Sequence, residues 1–475
     1  MRMGIDTCLG QSGHATQTIE SAMELLASPA GLLAAFLGLL LAAAVLLRRD
    51  GVFLGGACVL VLMTMMAQEN RWFDNTLVAP LEQLRAGSRA ATLALLVAMA
   101  LNLLFTPPGF RRRRVTFAML AFIAFESVYR LRLGMHGEVT RAALGWVAVV
   151  LVLAVFGVGF ARRLETEDDF ERYVRMFVAA SAVFVALNLV QLGLGYRNAI
   201  AGGRFAGISG NPQLAGYVRA VFILFNTHVF STGPLGSPAR WLSGILIGLL
   251  AILLLWTGSR TGALCGVAGV LGYFRLRLGG LTLLAATGGA SLAAAASFFS
   301  ESLEGVDRFV GGENTRREVW LRLVDDFLSA PVFGTMQSRV GEVISAAESS
   351  YLTTLSLMGI SGAIPLGVLV LAIGWGAVRV YGARRSGAVD PRQADLVLAC
   401  VPVILIGSVF EGFFLGILSF SVLWIYGVMS LMAFVSERAA EPAEEDDTDL
   451  DGDAVDASMS ESGATADSYK AGDWP

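Results

Sequence analysis

The stretch RWLSGILIGLLAILLLWTGSRTGALCGVAGVLGYFRL, residues 240–276, decides the fold class. Two apolar runs, near 240–257 and 261–276, meet at Thr257, Gly258, Ser259 and Arg260. About 20 apolar residues in a helix cross the roughly 30 Å of hydrocarbon in a bilayer. A soluble protein can hide one such run in its core, but this chain repeats the pattern along its length. Working outward, further runs fall near 30–47, 51–67, 90–106, 115–129, 142–160, 174–195, 214–231, 280–299, 350–373, 395–410 and 413–435. The expectation is an all-α, polytopic membrane protein with 12–13 transmembrane helices, placed in the inner (plasma) membrane.

Composition agrees. Of 475 residues, 55% are hydrophobic and 16% charged, well under the roughly 25% charged residues of soluble domains. Mean hydropathy is +0.64. The net charge of −4 is unevenly spread: residues 1–436 hold 33 basic and 26 acidic residues, and the rest of the chain holds thirteen acids. Lys470 is the sole lysine. Every other fixed cation is arginine, whose planar fork suits phosphate, although a GC-rich genome favours arginine codons as well. Cys8, Cys58, Cys265 and Cys400 show no CxxC spacing, so neither a metal site nor a disulfide is implied.

The chain divides into an exposed segment at 1–28, a transmembrane bundle over 29–299, a long loop at 300–349, further transmembrane helices over 350–436 and an acidic tail at 437–475. The tail's composition predicts disorder. Arginines set the orientation. Arg48 and Arg49, Arg111 to Arg114, Arg162 and Arg163, Arg275 and Arg277, and Arg384 and Arg385 fall on one side if the spans alternate, and that side is expected to be the cytoplasm. Segments 68–89, 130–141, 196–213, 257–260 and 300–349 then face outward. In the long loop, Thr315 and Glu318 form a capping-box pattern. Val319, Trp320, Leu323, Val324, Phe327 and Leu328 follow at helical spacing until Pro331. This predicts an amphipathic helix, on the membrane surface or over the bundle.

Three outward segments carry candidate chemistry. Residues 202–212, GGRFAGISGNP, place Arg204 in a glycine-rich loop before Asn211, a helix N-cap, and Pro212, a first helical residue. A helix N-terminus beside an arginine suits an anion; the plain alternative is an ordinary helix start. At 257–262, Ser259 and Arg260 stand between apolar runs, where an arginine is costly unless partnered; the alternative is a cation snorkelling to the membrane boundary. Between 314 and 351, Arg316 and Arg317 open the amphipathic helix, against its dipole unless an anion is held there. Glu348, with Tyr351 close behind, is a carboxylate at the opening of the next span, able to take up a proton if buried; the alternative is solvated interfacial charge. Arginines and a carboxylate on one face, without a His/Cys cluster or a nucleotide-binding loop, suit transfer from a lipid-linked diphosphate. Arginines would hold the leaving pyrophosphate and a base would activate the acceptor hydroxyl.

The order of motifs resembles the O-antigen ligase and O-antigen polymerase family of membrane glycan transferases. It runs from Arg204-x-x-Gly207 with Asn211 and Pro212, through Ser259 and Arg260, to Arg317-x-x-Trp320 with Pro331-x-x-Gly334. It closes with a polar pair before Tyr351 and Leu352, and with Gly359-Ile360-x-Gly362. The resemblance spans about 196–435. It implies a metal-independent glycosyltransferase without a cofactor, a polyprenyl-diphosphate-linked glycan donor, an acceptor glycan or lipid, surrounding membrane lipid, a chain-length regulator as partner, and no nucleic acid. Arg204, Arg260 and Glu348 are then the expected catalytic residues. Asn211, Ser259, Arg316, Arg317 and Tyr351 are expected to bind substrate. Ligases of this family carry a histidine where this chain has Glu348, and His14, His136 and His228 stand elsewhere. Polymerases vary more at that place, so the expectation is a polymerase serving O-antigen, capsule or exopolysaccharide assembly. A ligase or protein O-oligosaccharyltransferase is the alternative within the superfamily. A lipid-linked glycan flippase or transporter is the alternative from another class, with arginines deep in facing helices; Arg219 is the clearest mid-span arginine.

Overall fold

The computed structural model describes residues 116–159, 164–193, 199–201, 203–278, 316–335, 349–415 and 419–438, together with Gly195 and scattered positions between 77 and 100. The expected spans near 30–47, 51–67 and 280–299, the N-terminal segment, the long loop apart from 316–335 and 349, and the acidic tail after Arg438 lie outside the described residues. So do most of the span near 90–106 and most of the expected outward segment at 68–89.

From residue 116 on, the described helices are α1 (Phe117–Met135), α2 (Val139–Val152, continued by a π-helix, Leu153–Gly159) and α3 (Glu167–Gly193). A two-stranded antiparallel hairpin, β1 (Ile200–Ala201) and β2 (Arg204–Phe205), precedes α4 (Pro212–Thr232). Then come α5 (Pro238–Trp256), α6 (Arg260–Leu278), α7 (Arg316–Ser329), α8 (Ser350–Ser386), α9 (Pro391–Phe410) and α10 (Phe420–Arg438). Seven of the described helices are long and apolar enough to cross a membrane: α2 with its π extension, α3, α4, α5, α8, α9 and α10. Many of their exposed side chains are large and apolar, among them Trp241, Ile245 and Ile252 on α5 and Ile364, Leu371 and Trp375 on α8. Water would not favour such a surface; hydrocarbon does.

Helices α4 and α10 form the centre: 89% and 94% of their most apolar windows are buried, against 28% for α5. Lipid gives no hydrophobic drive between helices, so close packing and polar bonds must hold them. Small residues supply the packing: a Cβ on Gly262 of α6 would stand 2.6 Å from the Gly216 carbonyl carbon of α4. Polar bonds add to it. Asn226 of α4 donates to Ser181 Oγ of α3 at 2.9 Å, and Ser430 Oγ of α10 donates to the Phe156 carbonyl at 2.6 Å. That carbonyl lies within the π-helix, where the regular helical ladder is interrupted.

Several boundaries differ from expectation, and side-chain pairs hold the helices where they continue further. Helix α1 runs past 129 to Met135: Arg130 pairs with buried Glu126 at 3.2 Å, and Arg132 donates to the Phe333 carbonyl at 2.7 Å. Helix α8 runs past 373 to Ser386, where Arg384 grips Asp395 of α9 at 2.6 and 3.3 Å. Helix α10 starts at Phe420 rather than near 413; residues Phe413–Leu415 form a 3-10 turn instead.

The described helices run in both directions, so the bundle has two ends. The starts of α4, α6 and α8 and the end of α9 share one end with α7. The other end carries a polar cluster. His228 meets Glu171 at 3.0 Å and Tyr273 at 3.2 Å, Tyr273 meets Ser231 at 2.7 Å, and Arg438 pairs with Glu167 at 2.8 Å.

Candidate functional site

The hairpin loop comes first. Ile200 pairs with Phe205 and Ala201 with Arg204, which turns the chain back before α4. Gly207 has φ +57°, and a Cβ there would meet Asn188 Oδ1 at 1.7 Å, so only glycine fits. As expected, Asn211 caps α4: its side chain accepts the Gln213 amide at 2.8 Å, and Pro212 opens the helix. That oxygen is committed to the helix, so any contact of Asn211 with a ligand must use its other atoms.

Arg204 does not hang free. Its Nε donates to the carbonyl of Thr257, at the C-terminus of α5, at 2.7 Å. A cation there complements the negative helix end. The same bond ties the loop to the 257–262 turn. In that turn Thr257 Oγ1 accepts the Ser259 amide at 3.0 Å, and Ser259 Oγ accepts the Gly262 amide at 3.1 Å. Ser259 is therefore buried as the N-cap of α6, and Arg260 follows as the first, exposed residue of that helix. A Cβ on Gly216 would lie 2.5 Å from the Ser259 Cβ, so the first turns of α4 and α6 touch. Two helix N-termini beside two arginines make this end favourable for an anion.

The third segment reaches the same end. Helix α7 is the expected amphipathic helix, opened by Arg316 and Arg317. Trp320 stacks on Phe410 at the end of α9, with centroids 6.1 Å apart. Asp326 accepts from Ser356 of α8 at 3.2 Å, and Leu323 is buried between the same elements. The turn after α7 then inserts into a break in α8. Gly359 has φ 61° and ψ −154°, and the amides of Ile360 and Ser361 donate to the carbonyls of Pro331 and Val332 at 2.9 and 3.1 Å.

At the start of α8, Ser349 caps the helix through the Leu352 amide, and the Tyr351 hydroxyl meets Ser408 Oγ of α9 at 3.0 Å. Glu348 lies outside the described residues. Beside its neighbours stands a carboxylate that the sequence reading passed over. Glu411 caps α9, is 6% exposed, and its carbonyl accepts both the amide and the hydroxyl of Ser350, at 3.1 and 2.8 Å. The signal was available: an acid alone between two apolar runs, as Arg260 is a lone cation between two others.

These elements define a polytopic, mostly helical membrane protein whose polar residues from 204 to 211, 257 to 262, 316 to 335, 349 to 351 and 411 gather at one end of the bundle. No protein-family model matches the chain, and no curated protein matches it in sequence.

Proposed function

We propose that the protein is a membrane glycan polymerase that acts on the outward face of the inner membrane. The donor is an undecaprenyl-diphosphate-linked oligosaccharide and the acceptor a growing glycan. The acceptor hydroxyl oxygen bonds to the anomeric carbon, the anomeric carbon–oxygen bond to diphosphate breaks, and undecaprenyl diphosphate leaves. The hydroxyl proton passes to a carboxylate. Arg204 and Arg260 hold the diphosphate, Arg316 and Arg317 at the start of α7 assist them, and Glu348 receives the proton.

One observation carries the reading: the 2.7 Å bond from Arg204 to Thr257, which joins the loop of one arginine to the turn that begins the helix of the other. Two arginines on neighbouring turns suit a diphosphate, and the hydroxyl-rich start of α8 with Glu411 suits a sugar acceptor. Glu411 is a second place for the proton. The transporter alternative draws no support from Arg219. That side chain is packed between rings rather than facing a second arginine among the described residues.

The test uses purified protein in lipid nanodiscs with an undecaprenyl-diphosphate oligosaccharide. A ladder of products with release of undecaprenyl diphosphate is expected. A single addition to a lipid acceptor would make it a ligase, and modification of a protein acceptor an oligosaccharyltransferase. In proteoliposomes, donor that crosses the bilayer uncleaved would make it a flippase.

A further inference from the structure

Arg219 lies seven residues into α4, about 10 Å from the helix start at 1.5 Å per residue, and is fully buried. An arginine at that depth is costly unless something offsets it. Among the described residues no carboxylate pairs with it: Nη2 donates to Asn188 Oδ1 of α3 at 3.3 Å, and Nε and Nη1 have no hydrogen-bond partner there. The guanidinium carbon instead stands 5.4 Å from the Phe184 ring centre and 5.0 Å from that of Phe205.

Those contacts converge on the hairpin loop. Phe205 follows Arg204 directly, and its other stacking partner is Trp256, 5.0 Å away at an interplanar angle of 17°. Trp256 in turn precedes Thr257, the acceptor of the Arg204 bond. Asn188 is held by its own donation to the Phe184 carbonyl at 2.7 Å, which aims Oδ1 at the loop. That oxygen receives both Arg219 and the amide of Ile208, each at 3.3 Å, and Gly207 is the residue that lets the loop approach it. The loop is thus gripped at Phe205, at Ile208 and at Arg204, and Arg219 touches the first directly and the second through Asn188.

We infer that Arg219 is a positioning residue: its buried cation clamps the arginine-bearing loop to the bundle and so sets where Arg204 stands. The inference rests on the reading of Arg204 as a diphosphate ligand. An apolar side chain would fill the same volume at less cost in desolvation. Only a cation is attracted to two ring faces at once while donating to Asn188. The charge, not the bulk, is what the site uses.

The test measures hydrogen exchange in the full-length protein in lipid nanodiscs, over 199–209 and, as a control, over 392–409. Arg219→Met should speed exchange of the loop about tenfold or more, as expected for loss of a desolvated cation–π contact, and leave the control unchanged. Arg219→Lys should recover much of the protection, because it keeps the cation. If the side chain only fills space, methionine protects the loop at least as well as lysine, and the inference is overturned. Should Arg219→Met fail to fold, Phe205→Leu removes the ring from the loop side and should release the loop in the same way; a loop that stays protected there also overturns it. With an undecaprenyl-diphosphate oligosaccharide, Arg219→Lys should raise donor KM more than it lowers kcat. If even the unaltered protein turns over no donor, the functional reading fails while the exchange result still decides the clamp.

Discussion

Single residues fix how closely the two arginine-bearing segments approach. Gly262 lies so near Gly216 that an added methyl has no room without separating α4 from α6. Gly262→Ala should therefore cost about 1–3 kcal/mol, the usual range for overpacking, seen as a lower unfolding temperature in detergent. It should also move Ser259 and weaken activity. Arg204→Lys keeps a positive charge but loses the Nε donor to Thr257. A charge-assisted bond of this kind is worth about 1.5–3 kcal/mol, so a loss of roughly tenfold to a hundredfold in donor kcat/KM is expected. Full activity in Arg204→Lys would show that the bond to the turn does not matter. At this scale the sequence was partly legible. Asn211 and Pro212 read correctly as a helix start because capping is a local pattern. Ser259, expected to bind substrate, also caps α6 by accepting the Gly262 amide, a role that its position between two apolar runs did not announce. Glu411 escaped notice because its importance comes from Ser350, far away in sequence.

The elements show the same division between local and distant causes. Helix α7 was legible from its spacing, but the sequence left open whether it lies on the membrane or on the bundle. The structure gives it three sectors. Leu323 and Asp326 face the bundle; Arg322 and Asp325 are exposed with Glu318, which pairs with Arg322 at 3.7 Å; Leu321, Val324 and Leu328 are exposed and apolar. Val332 and Phe333 after α7, and Ile360 and Ile364 of α8, are exposed and apolar as well. Spin labels at Leu321 and Leu328 should thus be relaxed by oxygen, which concentrates in lipid, and labels at Arg322 and Asp325 by a water-soluble nickel chelate. Equal nickel access at all four positions would place the helix away from the bilayer. The break in α8 was not legible. Glycine at 359 and at 362 is compatible with an unbroken helix, and it is the carbonyls of Pro331 and Val332 that hold the two displaced amides. Gly359→Ala would put a Cβ 2.6 Å from the Pro331 carbonyl oxygen, in a backbone region open mainly to glycine. It should free the 331–335 turn to proteolysis.

For the whole molecule, contacts put the α4–α5 connection at the end of the bundle opposite to α7 and the start of α8. A cysteine at Ser329 should react with a membrane-impermeant thiol reagent in intact cells, after any outer membrane is opened. One at Leu235, which is 87% exposed, should react only after the membrane that holds the protein is lysed. The reverse pattern would invert the arginine-based orientation. Membrane class was legible from composition alone, since hydrocarbon demands long apolar runs. The gathering of 204, 260 and 411 at one end was legible only as far as alternation could take it; their actual proximity depends on the glycine contacts and carbonyl bonds between helices. The interrupted α8 has a consequence for the bilayer itself. Its 37 residues would make a straight rod of about 55 Å, far longer than the roughly 30 Å of hydrocarbon. Such a rod would have to tip as acyl chains lengthen or shorten, swinging Ser350 and Tyr351 with it. With the chain redirected at Gly359, the segment after it can tip about its Arg384–Asp395 pair while Ser350 and Tyr351 stay bonded to Glu411 and Ser408. Turnover should accordingly vary by less than about twofold between vesicles of short-chain and long-chain phosphatidylcholine, although helix tilt changes between them.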